Sequence, residues 1–254
     1  MIDLLTFPGL AGVPGLVHGV TTRDGGVSRG PWASLNLGRG SGDDDASVGE
    51  NGRRLAAHLG ADGRVRFPSQ VHGARVVVLD APPDGPLGPA DAVATDVPGL
   101  AIGVLGADCP GVLVADPVRR AAAVAHCGWR GTLAGVLPAA VRALRERYAS
   151  LPADLRVGLG PGIGPERYEV GPEVADAFLR DAPGSQPSLA RGRGDRWHLD
   201  LHAELARQAV ACGVPAASVE RLALCTHASP ALFFSHRRDG ASTGRHALVA
   251  MWTG

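Results

Sequence analysis

Apolar residues recur along the 254-residue chain with two different periods. Short runs rich in valine, alanine and leucine predict strands over residues 15–22, 64–68, 74–80, 100–105, 112–115, 121–125, 155–159, 219–225 and 246–252. Helical spacing predicts helices over 46–59, from 132 to about 148, over 172–179 and over 199–212, with Gly213 as a stop after the last. The runs at 100–105 and 112–115 are continuously apolar, the mark of strands buried on both faces. Loops fall at 38–45, 81–89 and 183–195, the last predicted to be the most mobile. Strands and helices interleave irregularly. No period repeats, and no glycine-rich turn stands where a dinucleotide-binding unit needs one. The fold class expected is α+β, with mixed β-sheets flanked by α-helices. No linker divides the chain, so residues 1–254 read as a single domain.

Composition narrows the functional classes. The chain is 45% hydrophobic and 20% charged, enough apolar residue to build a core. Its 25 basic and 25 acidic residues balance, which argues against a nucleic-acid coat or a membrane-surface binder and leaves a small molecule as the default partner. Every basic residue is arginine. Without lysine there is no Schiff base, no pyridoxal phosphate anchor and no Lys-Ser/Thr phosphate loop, so any phosphate falls to arginine or to backbone amides. The four tryptophans and two tyrosines are too few for an aromatic nucleic-acid platform. No signal peptide and no apolar run of about 18 residues is present, which predicts a cytoplasmic protein. Cys109, Cys127, Cys212 and Cys225 lack the dense spacing of a disulfide framework and read as reduced thiols. Oligomeric state has no signature in the sequence.

Three segments put a metal-capable side chain at a strand end: Ser69-Gln70-Val71-His72-Gly73, Gly106-Ala107-Asp108-Cys109-Pro110 and His126-Cys127-Gly128-Trp129-Arg130-Gly131. Two imidazoles and a thiolate are a familiar zinc set, and three protein ligands leave a fourth position open. The separations from 72 to 109 and from 109 to 126, 37 and 17 residues, match no short zinc motif, so convergence rests on strand-end placement alone. The same residues also suit a nucleophile, Cys109 or Cys127, activated by His72 or His126. Asp108 can orient a histidine or hold a proton, or simply cap the bend. In Arg23-Asp24-Gly25-Gly26-Val27-Ser28, two glycines let amides approach an anion with Arg23 and Ser28 as donors; the plain alternative is a turn. Arg130 precedes a helix N-terminus, where an anion is favoured, or makes a salt bridge. Gly160 to Pro165 has prolines where a phosphate loop needs donors, and reads as a shaped loop lining a pocket. His198 and His202, four apart, read as exposed histidines of an amphipathic helix, and Phe233-Phe234 as either a core anchor or a stacking surface.

In order along the chain, His18-Gly19-Val20-Thr21-Thr22-Arg23, Ser34-Leu35-Asn36-Leu37-Gly38, Gln70-Val71-His72-Gly73, Ala90-Asp91-Ala92, Ala107-Asp108-Cys109-Pro110, Gly128-Trp129-Arg130-Gly131, Gly160 to Pro165, Tyr168-Glu169-Val170, Phe233 to Asp239 and Thr243-Gly244-Arg245 resemble the laccase-domain family. That family is also described as multicopper polyphenol oxidases and is now mostly read as purine nucleoside phosphorylases. The resemblance covers almost the whole chain. It implies zinc ligands at His72, Cys109 and His126, with copper as the alternative metal, and a fold related to cysteine-hydrolase-like toxins. The activities it implies are phosphorolysis of adenosine, inosine, guanosine and methylthioadenosine, together with adenosine deamination. An older label is phenol oxidation, and some bacterial members are linked to peptidoglycan editing. Two departures stand out: Cys127 replaces an alanine beside a ligand, and Glu166 and Arg167 stand where cysteines are frequent. For deamination, Asp108 is the expected proton carrier. For phosphorolysis, Arg23, Arg130 and the amides of Gly25 and Gly26 are the expected phosphate holders.

Overall fold

Residues 2–254 are described by a computed structural model. In chain order the strands are β1 (Leu4–Leu5), β2 (Leu16–Thr21), β3 (Val76–Leu79), β4 (Ala92–Thr95), β5 (Ile102–Gly106), β6 (Gly111–Asp116) and β7 (Ala121–His126). They continue with β8 (Arg156–Leu159), β9 (Glu169–Val170), β10 (Leu189–Arg191), β11 (Trp197–Leu199), β12 (Val219–Arg221) and β13 (His246–Trp252). The helices are α1 (Pro8–Ala11), α2 (Asp45–Leu59), α3 (Trp129–Leu133), α4 (Val136–Tyr148), α5 (Pro172–Asp181), α6 (Leu201–Ala211) and α7 (His236–Asp239).

A six-stranded sheet runs β12-β8-β6-β7-β4-β3, parallel at its two outer pairs and antiparallel between. An antiparallel sheet, β1-β2-β13-β5, stacks on it, and a small antiparallel sheet, β10-β11-β9, stands apart. Side-chain alternation explains the layering. Ala121, Ala123 and Ala125 of β7 face α4 and α6, whereas Ala122 and Val124 face the second sheet. In β13, Leu248, Ala250 and Trp252 point into the sandwich while Ala247, Val249 and Met251 point outward to Leu55 and Leu59 of α2. The result is four layers, helices outside and two sheets within. Each fully buried valine or leucine here contributes about 1.5–3 kcal/mol. A fourth cluster joins α5 to the small sheet and to Trp129 and Leu133 of α3.

The α+β expectation holds, with differences of detail. The helix expected from 132 to 148 is two helices, because Gly135 adopts a left-handed conformation (φ 79°) between α3 and α4. Residues 64–68 add no strand, only a bridge from Arg66 to Ile102. Strand β4 was not anticipated, and β10 lies inside the stretch expected to be a mobile loop.

Strand register is what assembles the site. His126 ends β7 opposite Gly111 of β6, and the Cys127 amide donates to the Pro110 carbonyl at 2.9 Å, so the Cys109 bend lies beside His126. Ala92 pairs with Ala125, and the His126 amide donates to the Asp91 carbonyl at 2.7 Å. Asp91 therefore flanks the same strand end from the other side.

Candidate metal and substrate site

The Asp91 carboxylate, fully buried, organises this corner. Its oxygens accept the successive amides of Val71 (3.1 Å), His72 (2.9 Å) and Gly73 (2.7 Å), and Oδ1 also accepts from Nδ1 of His126 at 3.0 Å. Burial works against its charge, but the His126 contact and the amides more than offset this and hold the carboxyl below its ordinary range. An ionised carboxylate only accepts, so His126 carries its proton on Nδ1 and turns Nε2 toward the cavity. The three amides also hold His72 in a left-handed conformation (φ 59°), which a non-glycine residue adopts only under constraint. Gln70 fixes the same loop to the edge of β5: its Nε2 donates to the Leu105 carbonyl at 2.8 Å, and its Oε1 accepts the Leu105 amide at 2.7 Å.

The ligand atoms of His72, Cys109 and His126 all lie within 4.8 Å of one another. The two imidazoles meet edge to face, centroids 4.8 Å apart. Burial disfavours the Cys109 thiolate, but the His126 charge and hydrogen bonds from both histidines prevail and draw it down to about 6. Burial opposes protonation of His126 too, and the Cys109 and Asp91 charges overcome it, to about 9. This imidazolium–thiolate pair is the charge state that a metal ion would replace. Gly128 closes the cradle: a Cβ there would lie 2.8 Å from the Cys109 Sγ and 3.1 Å from the His72 Cδ2. A soft thiolate, two imidazoles, one of them exposed, and a carboxylate fixing the other imidazole together fit a single metal ion with an open position. A cavity of about 1420 Å³ opens over the triad, reaching from Tyr168 and Arg237 to α2 and the 83–87 loop.

Several expected residues serve elsewhere. Arg23 does not line the cavity; its Nε and Nη1 donate to the carbonyls of Ala33 and Pro230, and its guanidinium lies over Phe234 at 4.7 Å. Gly25 and Gly26 are absent from the cavity wall as well. The Gly26 amide is taken by the Ser34 hydroxyl, and the Gly25 carbonyl receives Arg54. Arg130 is exposed outside the cavity, stacked on Trp129 at 4.3 Å. Asp108 lines the cavity, and the Thr226 hydroxyl donates to Oδ1 and the Arg237 amide to Oδ2, both at 2.6 Å, so it ties the bend to α7. Cys127 is no competing ligand: its side chain sits in the core under α4, and burial pushes its thiol well above the ordinary value. His202 is buried and bonded to the Gly160 carbonyl at 2.9 Å, contrary to the exposed-histidine expectation. The core-anchor reading of Phe233 and Phe234 is the right one, and Ile163 of the shaped 160–165 loop does line the cavity. Asp91 lies in the matched Ala90-Asp91-Ala92 segment, yet no role was expected of it.

The family described as multi-copper polyphenol oxidoreductase laccase matches residues 17–253. The chain belongs to this family. Among its relatives, a purine nucleoside phosphorylase of Streptomyces coelicolor is 43% identical over 237 residues, spanning 92% of this chain and 95% of that one. One from Mycobacterium tuberculosis is 41% identical over 230 residues, spanning 90% and 89%. The crystal structure of YlmD from Geobacillus stearothermophilus superposes with a TM-score of 0.92 at 32% identity and covers 100% of both chains. Laccase-family relatives named as phosphorylases over nearly full length support an enzyme with small-molecule substrates. No helix among the described residues is long and apolar enough to cross a membrane.

Proposed function

We propose that this chain is a purine nucleoside phosphorylase, acting on adenosine, inosine, guanosine and methylthioadenosine, with adenosine deamination as a second activity. His72, Cys109 and His126 hold a zinc ion in this reading. The observation that carries it is the convergence of these three donors within 4.8 Å, on a cavity with room for a nucleoside and an oxyanion. Lewis-acid polarisation is what a bound zinc supplies there. In phosphorolysis the C1′–N9 bond breaks with its electron pair going to the base, a phosphate oxygen bonds to C1′, and the proton of hydrogen phosphate ends on the base. Asp91 keeps His126 in one tautomer throughout, and Gln70 keeps the His72 loop from drifting. Deamination exchanges the amine of adenosine for the oxygen of water, releasing ammonia and inosine. The described residues hold one three-donor group, which favours one ion over a multi-copper centre.

Chromatography of adenosine incubated with and without phosphate, beside metal analysis of the purified protein, tests this. Adenine and ribose 1-phosphate should form only with phosphate, inosine should form in both, and His72→Ala or Cys109→Ala should abolish turnover together with bound zinc. Base release that is indifferent to phosphate would refute the phosphorylase reading. The line Cys109–His126–Asp91 also suits a cysteine hydrolase. Such an enzyme would survive chelation and die with iodoacetamide, whereas the zinc enzyme is lost to the chelator.

A further inference from the structure

Six arginines line the cavity, against three acidic residues, in a chain whose charges balance overall: Arg39, Arg53, Arg64, Arg66, Arg237 and Arg245. Most are committed or distant. Arg39 pairs with Asp45, Arg53 pairs with Glu50, and Arg237 donates to the Glu169 carbonyl while lying over Tyr168. Arg64 is exposed, and Arg66 bridges Ile102 at the far end of β5, four residues or roughly 13 Å from the end that carries the bend.

Arg245 differs in place and in construction. The ladder between β13 and β5 begins with His246 opposite Gly106, so Arg245 stands one residue beyond it, across from the bend that carries Asp108 and Cys109. Its backbone amide donates to Oδ1 of the buried Asn36 at 2.8 Å. Asn36 is itself fixed through Ser41, Asp43, the Gly38 amide and the side chain of Asn51. Gly38 packs directly on the arginine stem; a Cβ there would lie 2.5 Å from the Arg245 Cγ. Nη1 is gripped by the carbonyls of Thr243 (2.7 Å) and Gly244 (2.9 Å). Among the described residues Nε and Nη2 have no protein partner and no carboxylate pairs with the group, yet neither nitrogen is sealed from the cavity. The Cys109 and Asp108 charges act on this guanidinium without reaching it as salt-bridge partners, and a constrained, partly buried guanidinium so placed is stabilised further by an anion on its free edge. Its free edge presents two parallel N–H donors, the geometry that grips a tetrahedral oxyanion.

We infer that Arg245 is the docking residue for the inorganic phosphate co-substrate, positioned by the Asn36–Gly38 loop against the Cys109 bend. This rests on the phosphorylase reading for the identity of the anion, though not for its presence. It also gives the Ser34-Leu35-Asn36-Leu37-Gly38 motif a task, since that loop seats the arginine.

The test measures the KM for phosphate and for nucleoside, and the calorimetric Kd of inorganic phosphate alone, in the wild type and in Arg245→Gln, Arg245→Lys, Gly38→Ala and Arg53→Gln. Arg245→Gln should raise both the phosphate KM and the phosphate Kd roughly 10- to 100-fold, the worth of a charge-assisted pair, with the nucleoside KM moving by less than about threefold. Arg245→Lys, which keeps charge without the fork, should fall between. Gly38→Ala displaces the stem without altering charge and should weaken phosphate in a chain that still binds metal, which covers the case where Arg245→Gln misfolds. Arg53→Gln should leave phosphate binding unchanged. An unaltered phosphate Kd in Arg245→Gln, an equal loss in Arg53→Gln, or a wild type that binds no phosphate overturns the inference. Phosphate binding that depends on Arg245 in a protein that consumes no nucleoside overturns the phosphorylase reading and leaves the anion site standing.

Discussion

Asp91 Oδ1 lies 3.0 Å from His126 Nδ1, and the same carboxylate accepts three consecutive amides from the loop that carries His72. One buried side chain thus fixes the tautomer of one candidate ligand and the backbone of another. Asp91→Asn should therefore act on both. Its amide nitrogen must face N–H donors that the carboxylate accepted, leaving buried groups unpaired at a cost of about 2–4 kcal/mol. Zinc affinity should fall about 10- to 100-fold, as expected when the partner of a ligating histidine is lost. Competition with a chromogenic chelator measures the affinity and urea unfolding measures the stability. Unaltered zinc affinity in a folded variant would show that His126 needs no partner.

How much of this was legible in the chain follows from the range of the contacts. β5 and β6 stood out because strands buried on both faces are continuously apolar. β4 escaped because Ala-Val-Ala-Thr is short and small, and only its pairing with β7 and β3 makes it a strand. β10 and β11 escaped because they are three residues each and mostly polar or half-exposed. The three donors could be nominated from strand ends, and the family resemblance made them a set. Asp91 falls within the matched Ala90-Asp91-Ala92 segment, but its role stayed hidden because its partners lie 18 to 35 residues away. Arg23 and Gly25-Gly26 misled for the converse reason: arginine next to paired glycines looks like an anion site, yet its donors are spent on nearby loops.

Gly128 and Cys127 are neighbours with opposite roles. Gly128→Ala places a methyl 2.8 Å from the Cys109 Sγ and should reduce bound zinc well below one ion per chain, at a stability cost of about 1–3 kcal/mol. Cys127→Ala removes only a core thiol on the far side of the strand end and should keep full zinc content, with stability lower by about 1 kcal/mol. Metal analysis by mass spectrometry on the two purified variants decides it. Loss of zinc in Cys127→Ala would mean that this thiol reaches the metal after all.

His246 supplies an acid-sensitive element beside the Cys109 bend that is not itself one of the three candidate ligands. It is 3% exposed, packs on Phe233 and faces Asp108 and Arg245. Burial pulls it from 6.5 down to about 4, with Arg245 adding to the shift and Asp108 opposing it. The unfolded chain therefore takes up this proton as pH falls through 6.5, and the folded chain only near 4. Stability must drop between those values, by about 1.4 kcal/mol per pH unit for one proton, and level off below. His18 and His202, also lowered by burial, act in the same direction. His246→Gln should remove one proton's share of the slope, seen as a flatter dependence of urea-derived stability between pH 6.5 and 4. Parallel curves for variant and wild type would show that His246 is protonated in the folded state.

Arg23 offers the sharpest contrast with Arg245. Both are arginines of ordered loops, and both donate to backbone carbonyls, but Arg23 uses its Nε and Nη1 on Ala33 and Pro230, places its plane over Phe234, and lies outside the cavity. Its backbone carbonyl also accepts the amides of Ser34 and Leu35, so the side chain stabilises the base of the loop that seats Asn36. Truncation removes two charge-assisted hydrogen bonds and a cation–π contact, together about 2–4 kcal/mol in a partly buried setting. Arg23→Ala should accordingly lower unfolding stability by that amount while the phosphate KM, measured at a temperature where the variant is fully folded, changes by less than about threefold. A large rise in phosphate KM in a variant of undiminished stability would return Arg23 to the phosphate site and deprive Arg245 of its exclusive role there.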